Sequence, residues 1–320
     1  MPSFFSTLSD KGRATRTLIA VTAAVLMLQP GFASVAGIAA AATSNETDKT
    51  HASQSASIYN TYQSMLKKKN GLPAADRYLA SNIKRVTSHH ASLMVLQLEN
   101  ARLKALSPMT DRMLVPNVQA KLLQAYRTGD SFTKLMSRID DAAAYNLLQE
   151  ARDNGYKLIM LEGALYPIMN YAAFQKYNQY VKPDIADYIN IMAAETRKIP
   201  AEDGDLLIGY QEMLLRALSQ EHFLKLYPDS KRSAQVQSLF DSYTQYTFYG
   251  LINTPLFDYE TNKMTANAQK GYKAVIERLA SVESPFLEQL ADFLDVAAAS
   301  NFEKTPAVER WLEKHVPASE

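Results

Sequence analysis

Helical periodicity runs through almost the whole chain and constrains its fold most. From Ile58 onward, apolar residues recur every three or four positions, as Leu79, Ile83 and Val86 do, and alternating strand-like patterns are nearly absent. The sequence therefore predicts an all-α fold, an irregular multi-helix bundle or array of about ten helices. The predicted helices span 58–69, 74–106, 110–127, 131–153, 170–181, 183–197, 203–226, 231–249, 266–280, 285–299 and 305–315.

One stretch, Tyr156–Tyr166, fits either an extended segment or a turn-rich insert. It follows Asn154-Gly155, a pair typical of helix ends. The same pair separates a Leu/Met/Lys/Arg-rich part of the chain from a tyrosine-rich part. We therefore predict two helical subdomains, 58–154 and 155–316.

Residues 1–42 have the pattern of a secretory signal peptide. A positively charged start precedes the apolar run Thr17–Leu28, and small residues follow as far as Ala36 and Ala42, two candidate cleavage points. The alternative is an uncleaved anchor, which would need roughly 17–25 apolar residues. Gln29 interrupts the run well short of that length. Cleavage would leave an extracellular or wall-associated protein with no membrane span.

Composition limits the chemistry further. The polar residues 43–57 read as a flexible spacer. The chain has no cysteine, which excludes disulfides, thiol nucleophiles and a lipid anchor on cysteine. Its 34 Lys+Arg nearly balance 33 Asp+Glu, which argues against a nucleic-acid partner because such proteins need a basic surface.

Tyrosine is the one compositional anomaly with a functional interpretation. Many of the 18 tyrosines cluster in the second half of the chain. A tyrosine ring with its polar tip suits a wet binding groove, but tyrosines at core spacing can also hydrogen-bond between helices, and both interpretations stay open. The candidate ligand-binding residues are Tyr166, Tyr171, Tyr177, Tyr180, Tyr188, Tyr249 and Tyr259.

Two carboxylates are candidate catalytic acids. Glu162 lies within the apolar run Leu158–Leu165, so burial of that run would make it a buried acid, either functional or tied structurally. Asp184 directly follows Pro183, where a first-turn acid also simply favours the helix dipole. A glycosidase would need two such carboxyl groups roughly 5–9.5 Å apart.

Metal and cofactor signatures are missing from the sequence. The five histidines show no metal-ligand spacing, and His90 falls on the apolar stripe expected of a core histidine. Nucleotide-binding and serine-hydrolase motifs are also absent. We therefore expect no metal and no cofactor.

Residues 155–300 contain a series of motifs with a family resemblance. They are Glu162–Pro167, Tyr171, Tyr177, Tyr180, Pro183-Asp184-Ile185, Tyr188-Ile189, Phe248–Leu251 and Asn253–Phe257. This part of the chain resembles a group of exported, all-helical proteins of spore-forming Gram-positive bacteria that have no assigned function. The resemblance implies export and a helical fold, and no reaction. Proteins of this group often have an acidic residue at the position that Asn170 occupies here, and another near the position of Arg197. Any acid-dependent chemistry of the group is therefore not transferred to this chain.

These observations lead to ranked expectations for function. We expect a non-enzymatic binding or interaction protein, whose tyrosine-rich surface contacts a cell-wall polymer, glycan, peptide or protein. The alternative is a secreted hydrolase of wall polymer or glycan that uses Glu162 as its acid. A third possibility is a structural or chaperone-like envelope protein with an exposed apolar groove.

Overall fold

The computed structural model describes residues 44–318, with side chains from residue 50 onward. Helices dominate this range and confirm the all-α prediction; the predicted signal segment 1–42 lies outside it. The helices are α1 (Ser44–Leu66), α2 (Leu72–Asn82), α3 (Ser88–Met113), α4 (Pro116–Ala125), α5 (Phe132–Met136), α6 (Ala142–Asp153), α7 (Pro183–Arg197), α8 (Tyr210–Leu226), α9 (Ser233–Tyr249), α10 (Ala266–Arg278), α11 (Pro285–Ala299) and α12 (Pro306–His315). Two short 3-10 helices cover Ile83–Arg85 and Tyr171–Tyr177, and the strands are β1 (Tyr156–Leu161), β2 (Ala164–Met169), β3 (Ala201–Glu202) and β4 (Asp205–Leu206).

The described residues form two compact units. The N-terminal unit comprises residues 44–189 and the C-terminal unit residues 190–318. The boundary therefore falls inside α7, and not at Asn154-Gly155 as composition suggested. That pair instead joins the end of α6 to the start of β1, with Gly155 in the left-handed region at φ 82°.

The first helix corrects the predicted spacer 43–57, because α1 already begins at Ser44. Ser55 and Tyr62 are fully buried, and the Tyr62 hydroxyl donates a hydrogen bond of 2.8 Å to the backbone carbonyl of Met94 on α3. Ser55, Ile58 and Tyr62 share one face of the helix. Their spacing of three and four residues lets Ser55 pack on the same side as Ile58 and Tyr62, which explains why the helix continues upstream of Ile58.

The predicted helix 74–106 is in fact two helices, α2 and α3, separated by a 3-10 turn. Thr87 begins α3 by accepting a hydrogen bond of 3.3 Å from the His90 backbone N–H. The predicted helix also ended at residue 106, shortly before Pro108, but α3 continues to Met113. Pro108 is exposed while Met109 and Met113 are buried, so packing beyond the proline offsets the one lost backbone bond.

The ambiguous stretch 156–166 is extended and forms an antiparallel hairpin of β1 and β2. Glu162 and Gly163 make its two-residue turn with φ values of 47° and 77°, the positive values that a type I′ turn requires. Gln119 of α4 fixes the hairpin through two hydrogen bonds to the Leu165 backbone, 2.7 Å to its carbonyl and 3.0 Å from its N–H.

Aromatic packing forms the core of the C-terminal unit. Phe248 of α9, Phe293 of α11 and Trp311 of α12 lie with ring centres 5.1–5.7 Å apart. The Trp311 ring also stacks on His315 at 4.7 Å. Within residues 44–318, no helix combines the length and the apolar character that crossing a membrane requires.

We predict that Gly155→Ala destabilises the protein by about 2–4 kcal/mol. An added methyl group at Gly155 is strained by the positive φ and also overlaps the buried guanidinium of Arg102. Gly163→Ala is the matched control, because its φ of 77° is similar but the space around it is open. It should cost only about 1 kcal/mol. Urea unfolding followed by circular dichroism measures both, and equal losses would contradict the role of Arg102.

Candidate functional site

The two acids proposed from sequence are not the buried acids of the structure. Glu162 is exposed at the turn of the β1–β2 hairpin, so it is not the buried acid that the apolar run suggested. Asp184 lies half-buried in the first turn of α7. Among the described residues, the buried carboxylates belong to Glu99 and Glu195.

Glu99 lies at the centre of a hydrogen-bond network in the N-terminal unit. The Tyr171 hydroxyl donates to its Oε1 over 2.7 Å, and the Tyr188 hydroxyl donates to the same oxygen. The two tyrosine rings meet edge to face at 6.4 Å. Burial, together with the Glu99 charge, raises the pKa of Tyr171 well above its ordinary value, so its hydroxyl keeps its proton. The network thus joins α3, the second 3-10 helix and α7.

A second buried group of polar side chains is centred on Arg102, which follows Glu99 by about one turn of α3. Its guanidinium forms an ion pair of 2.8 Å with Asp76 of α2 and lies 5.0 Å above the centre of the Phe174 ring. The Tyr177 hydroxyl donates to Asp76 over 3.2 Å. The Tyr156 hydroxyl donates to the Arg102 carbonyl over 2.6 Å. Because these groups are bonded to one another and Asp76 alone of them is half-buried, their arrangement holds α2, α3, β1 and the second 3-10 helix together.

Burial corrects the predicted tyrosine surface. The buried members of the candidate set, whose rings are not available to a ligand, are Tyr171, Tyr177 and Tyr188. The half-buried members are Tyr166, Tyr180 and Tyr249. Tyr259 is 70% exposed, the one candidate whose ring lies open to solvent. The candidate tyrosines are thus buried or half-buried, with the exception of Tyr259.

The C-terminal unit has its own buried cation. Arg216 of α8 is fully buried and donates to the Tyr243 hydroxyl over 2.9 Å, to Glu212 over 2.6 Å and to the Lys198 carbonyl over 3.2 Å. Desolvation lowers the pKa of Arg216, and the nearby charge of Glu195 opposes that shift. This cluster also joins elements, here α8, α9 and the residue after α7.

A surface of different character surrounds Tyr259. We call residues 250–264, between α9 and α10, the tyrosine loop. Ile252 is 72% exposed and Tyr259 is 70% exposed, and the Tyr259 hydroxyl donates to the Ile252 carbonyl over 3.2 Å. The loop lies against the β3–β4 hairpin, where the Asn253 N–H donates to the Gly204 carbonyl over 2.9 Å. Leu207, just after β4, is 40% exposed.

Hydrogen bonds and buried anchors hold the tyrosine loop in one shape. Asp258 accepts bonds from the N–H groups of Glu260 and Thr261, over 3.1 Å and 2.8 Å, and from the Thr261 hydroxyl over 2.9 Å. These bonds lower the pKa of Asp258, which therefore stays ionised. Leu256 and Met264 are buried on either side. The loop thus exposes two large apolar side chains from a fixed backbone.

A serine–histidine contact that was not predicted from the sequence fixes α1 against α3. The Ser55 hydroxyl lies 2.7 Å from Nδ1 of His90, and its oxygen accepts the Thr87 N–H over 2.9 Å. The His90 ring stacks on Tyr59 at 4.9 Å. Burial, and secondarily the neighbouring His89, lowers the pKa of His90 and favours the neutral ring. Which partner donates in the Ser55–His90 hydrogen bond depends on the tautomer of that ring. Ser55 is fully buried, so it supports packing and is not an exposed nucleophile.

No family model, curated protein or solved structure matches the chain. The resemblance to exported helical proteins therefore stays a prediction. Within residues 44–318, no cluster of three or more histidine, aspartate or glutamate side chains has the arrangement of a metal site. Function is therefore inferred from this chain's own geometry.

We predict that Tyr171→Phe lowers the free energy of unfolding by about 1.5–3 kcal/mol. The substitution removes a hydroxyl that donates to the buried Glu99 carboxylate and changes little else. Tyr145→Phe, on the exposed surface of α6, should stay within about 0.5 kcal/mol of the original protein. Chemical denaturation compares the two, and an unchanged midpoint in Tyr171→Phe would contradict the importance of this bond.

We predict that stability falls with acidification in a manner that depends on His90. Because the folded pKa of His90 is lowered below the unfolded value of about 6.5, the unfolded chain binds this proton more readily. This contribution is complete above about pH 6.5 and is lost as the pH falls towards the folded pKa. Urea midpoints at several pH values should show a smaller decline in His90→Gln. The exposed His222→Gln should retain the full decline, and identical slopes for all three proteins would disprove the link.

Proposed function

We propose that this chain is a secreted or cell-envelope-associated, non-enzymatic binding protein that contacts its partner through the tyrosine loop. The exposed pair of Ile252 and Tyr259 is the observation that carries the proposal. Export is supported by the signal-like order of charged, apolar and small residues in 1–42. The near balance of basic and acidic residues favours a partner other than a nucleic acid.

The fixed backbone of the tyrosine loop favours a binding role for its apolar side chains over chance exposure. Single exposed apolar side chains are common on protein surfaces and need no explanation. Here, however, two large ones project from a backbone that Asp258 and the buried Leu256 hold in place. A preorganised loop loses little conformational entropy on binding, and tyrosine is among the residues that contribute most to interface affinity.

The hydrolase alternative has less support from the geometry. Glu162 is exposed on a hairpin turn and does not lie in an enclosed cleft. A binding experiment that also monitors fragment release tests both functions together.

The direct test is a pelleting assay with purified wall sacculi and the mature protein. We expect the protein to sediment with sacculi, and the double variant Ile252→Ser/Tyr259→Ser to bind about tenfold more weakly or worse. Because both side chains are exposed, the double variant should fold with an unchanged urea midpoint. Tyr145→Ser, which removes an exposed tyrosine from α6, should bind like the original protein.

Two outcomes would contradict the proposal. Equal sedimentation of the original protein and the double variant would remove the tyrosine loop from the binding surface. Release of soluble wall fragments that stops in Glu162→Gln would instead establish the hydrolase. If sacculi retain no protein, the same variants should be compared on isolated envelope proteins, and loop-independent binding there would overturn the proposal.

A further inference from the structure

Carboxylates with no ionic partner among the described residues flank Tyr259 in the chain and lie on the adjoining β3–β4 hairpin. Asp205, Asp258 and Glu260 are all exposed, and within residues 44–318 none of them forms an ion pair. Asp205 accepts only the Thr254 hydroxyl, over 3.3 Å. By contrast Lys263, the lysine of the loop, is paired with Glu303 at 3.4 Å. The surface therefore carries uncompensated negative charge beside apolar area.

Tyr259 lies between Asp258 and Glu260 in the chain, and its open ring adds to the attraction of this surface for positive charge. The face of an aromatic ring attracts a cation, and neighbouring carboxylates strengthen the same field. Ile252 and Leu207 supply apolar area on the loop and on the adjoining hairpin. A ligand that satisfies all of these groups must offer positive charge and an apolar side chain together.

From this we infer that the partner is a polypeptide segment in which Lys or Arg side chains flank an apolar residue. The inference rests on the proposed function and specifies the partner of the same surface. A neutral glycan would stack on Tyr259 but would leave the carboxylates without counter-charge. Anionic polymers and anionic lipid surfaces would be repelled by Asp205, Asp258 and Glu260.

The test uses short synthetic peptides and the mature protein. One peptide alternates Lys and Leu, and the other replaces every Lys with Gln. We expect the Lys peptide to bind at least several-fold more tightly, with an affinity that falls as salt increases. Fluorescence anisotropy of labelled peptides measures both effects. Ile252→Ser/Tyr259→Ser should weaken the Lys peptide about tenfold.

Charge variants identify the carboxylates that contribute to peptide binding. Asp205→Asn/Glu260→Gln removes two charges and leaves Asp258, which shapes the loop, in place. It should weaken the Lys peptide about three- to tenfold and flatten the salt dependence. The matched control, Glu277→Gln/Asp295→Asn, removes the same charge from exposed positions on α10 and α11 and should bind within about twofold of the original protein.

The outcomes separate this inference from the proposed function. Equal weakening by both charge variants would mean unspecific attraction and would overturn the inference. Equal binding of the Lys and Gln peptides would overturn it too. If neither peptide binds while loop-dependent binding to sacculi persists, the inference fails and the proposed function stands. Loss of loop dependence in both assays would overturn both.

Discussion

The buried carboxylate of Glu99 places the strongest structural constraint on the N-terminal unit, because it requires hydrogen-bond donors around it. A carboxylate removed from water is tolerated only where donors surround it, and Glu99 has Tyr171 and Tyr188 as donors. Meeting this condition brings the second 3-10 helix and α7 against α3. About one turn along α3, the buried cation of Arg102 requires a negatively charged partner, which Asp76 of α2 supplies. One helix thus positions its neighbours through two charges of opposite sign.

The helical class was predictable because periodicity and helix-start residues are local signals. Pro285, for instance, begins α11 after Ser284, whose hydroxyl accepts the Leu287 N–H. The hairpin was harder to predict, because its turn at Glu162 and its tie to Gln119 depend on pairing between distant segments. The continuation of α3 past Pro108 likewise depends on buried contacts that no local rule reports.

The tyrosines show where sequence reasoning about a site can be refined. Tyr171 is followed by Ala172, Ala173 and Phe174, a largely apolar setting, and it is buried. Tyr259 has acids on both sides and is exposed. Among the candidate tyrosines, Tyr259 is the one with a charged residue on each side, whereas a single charged neighbour, as at Tyr177 and Tyr188, accompanies burial. Glu99 had no such local sign, because its donors come from residues far along the chain.

The position of the single tryptophan determines what an optical experiment on this protein observes. Trp311 lies in the aromatic core of the C-terminal unit and stacks on His315. Its emission therefore reports on residues 190–318, while circular dichroism averages over the helices of both units. Divergence of the two signals during unfolding would show directly whether the units melt together.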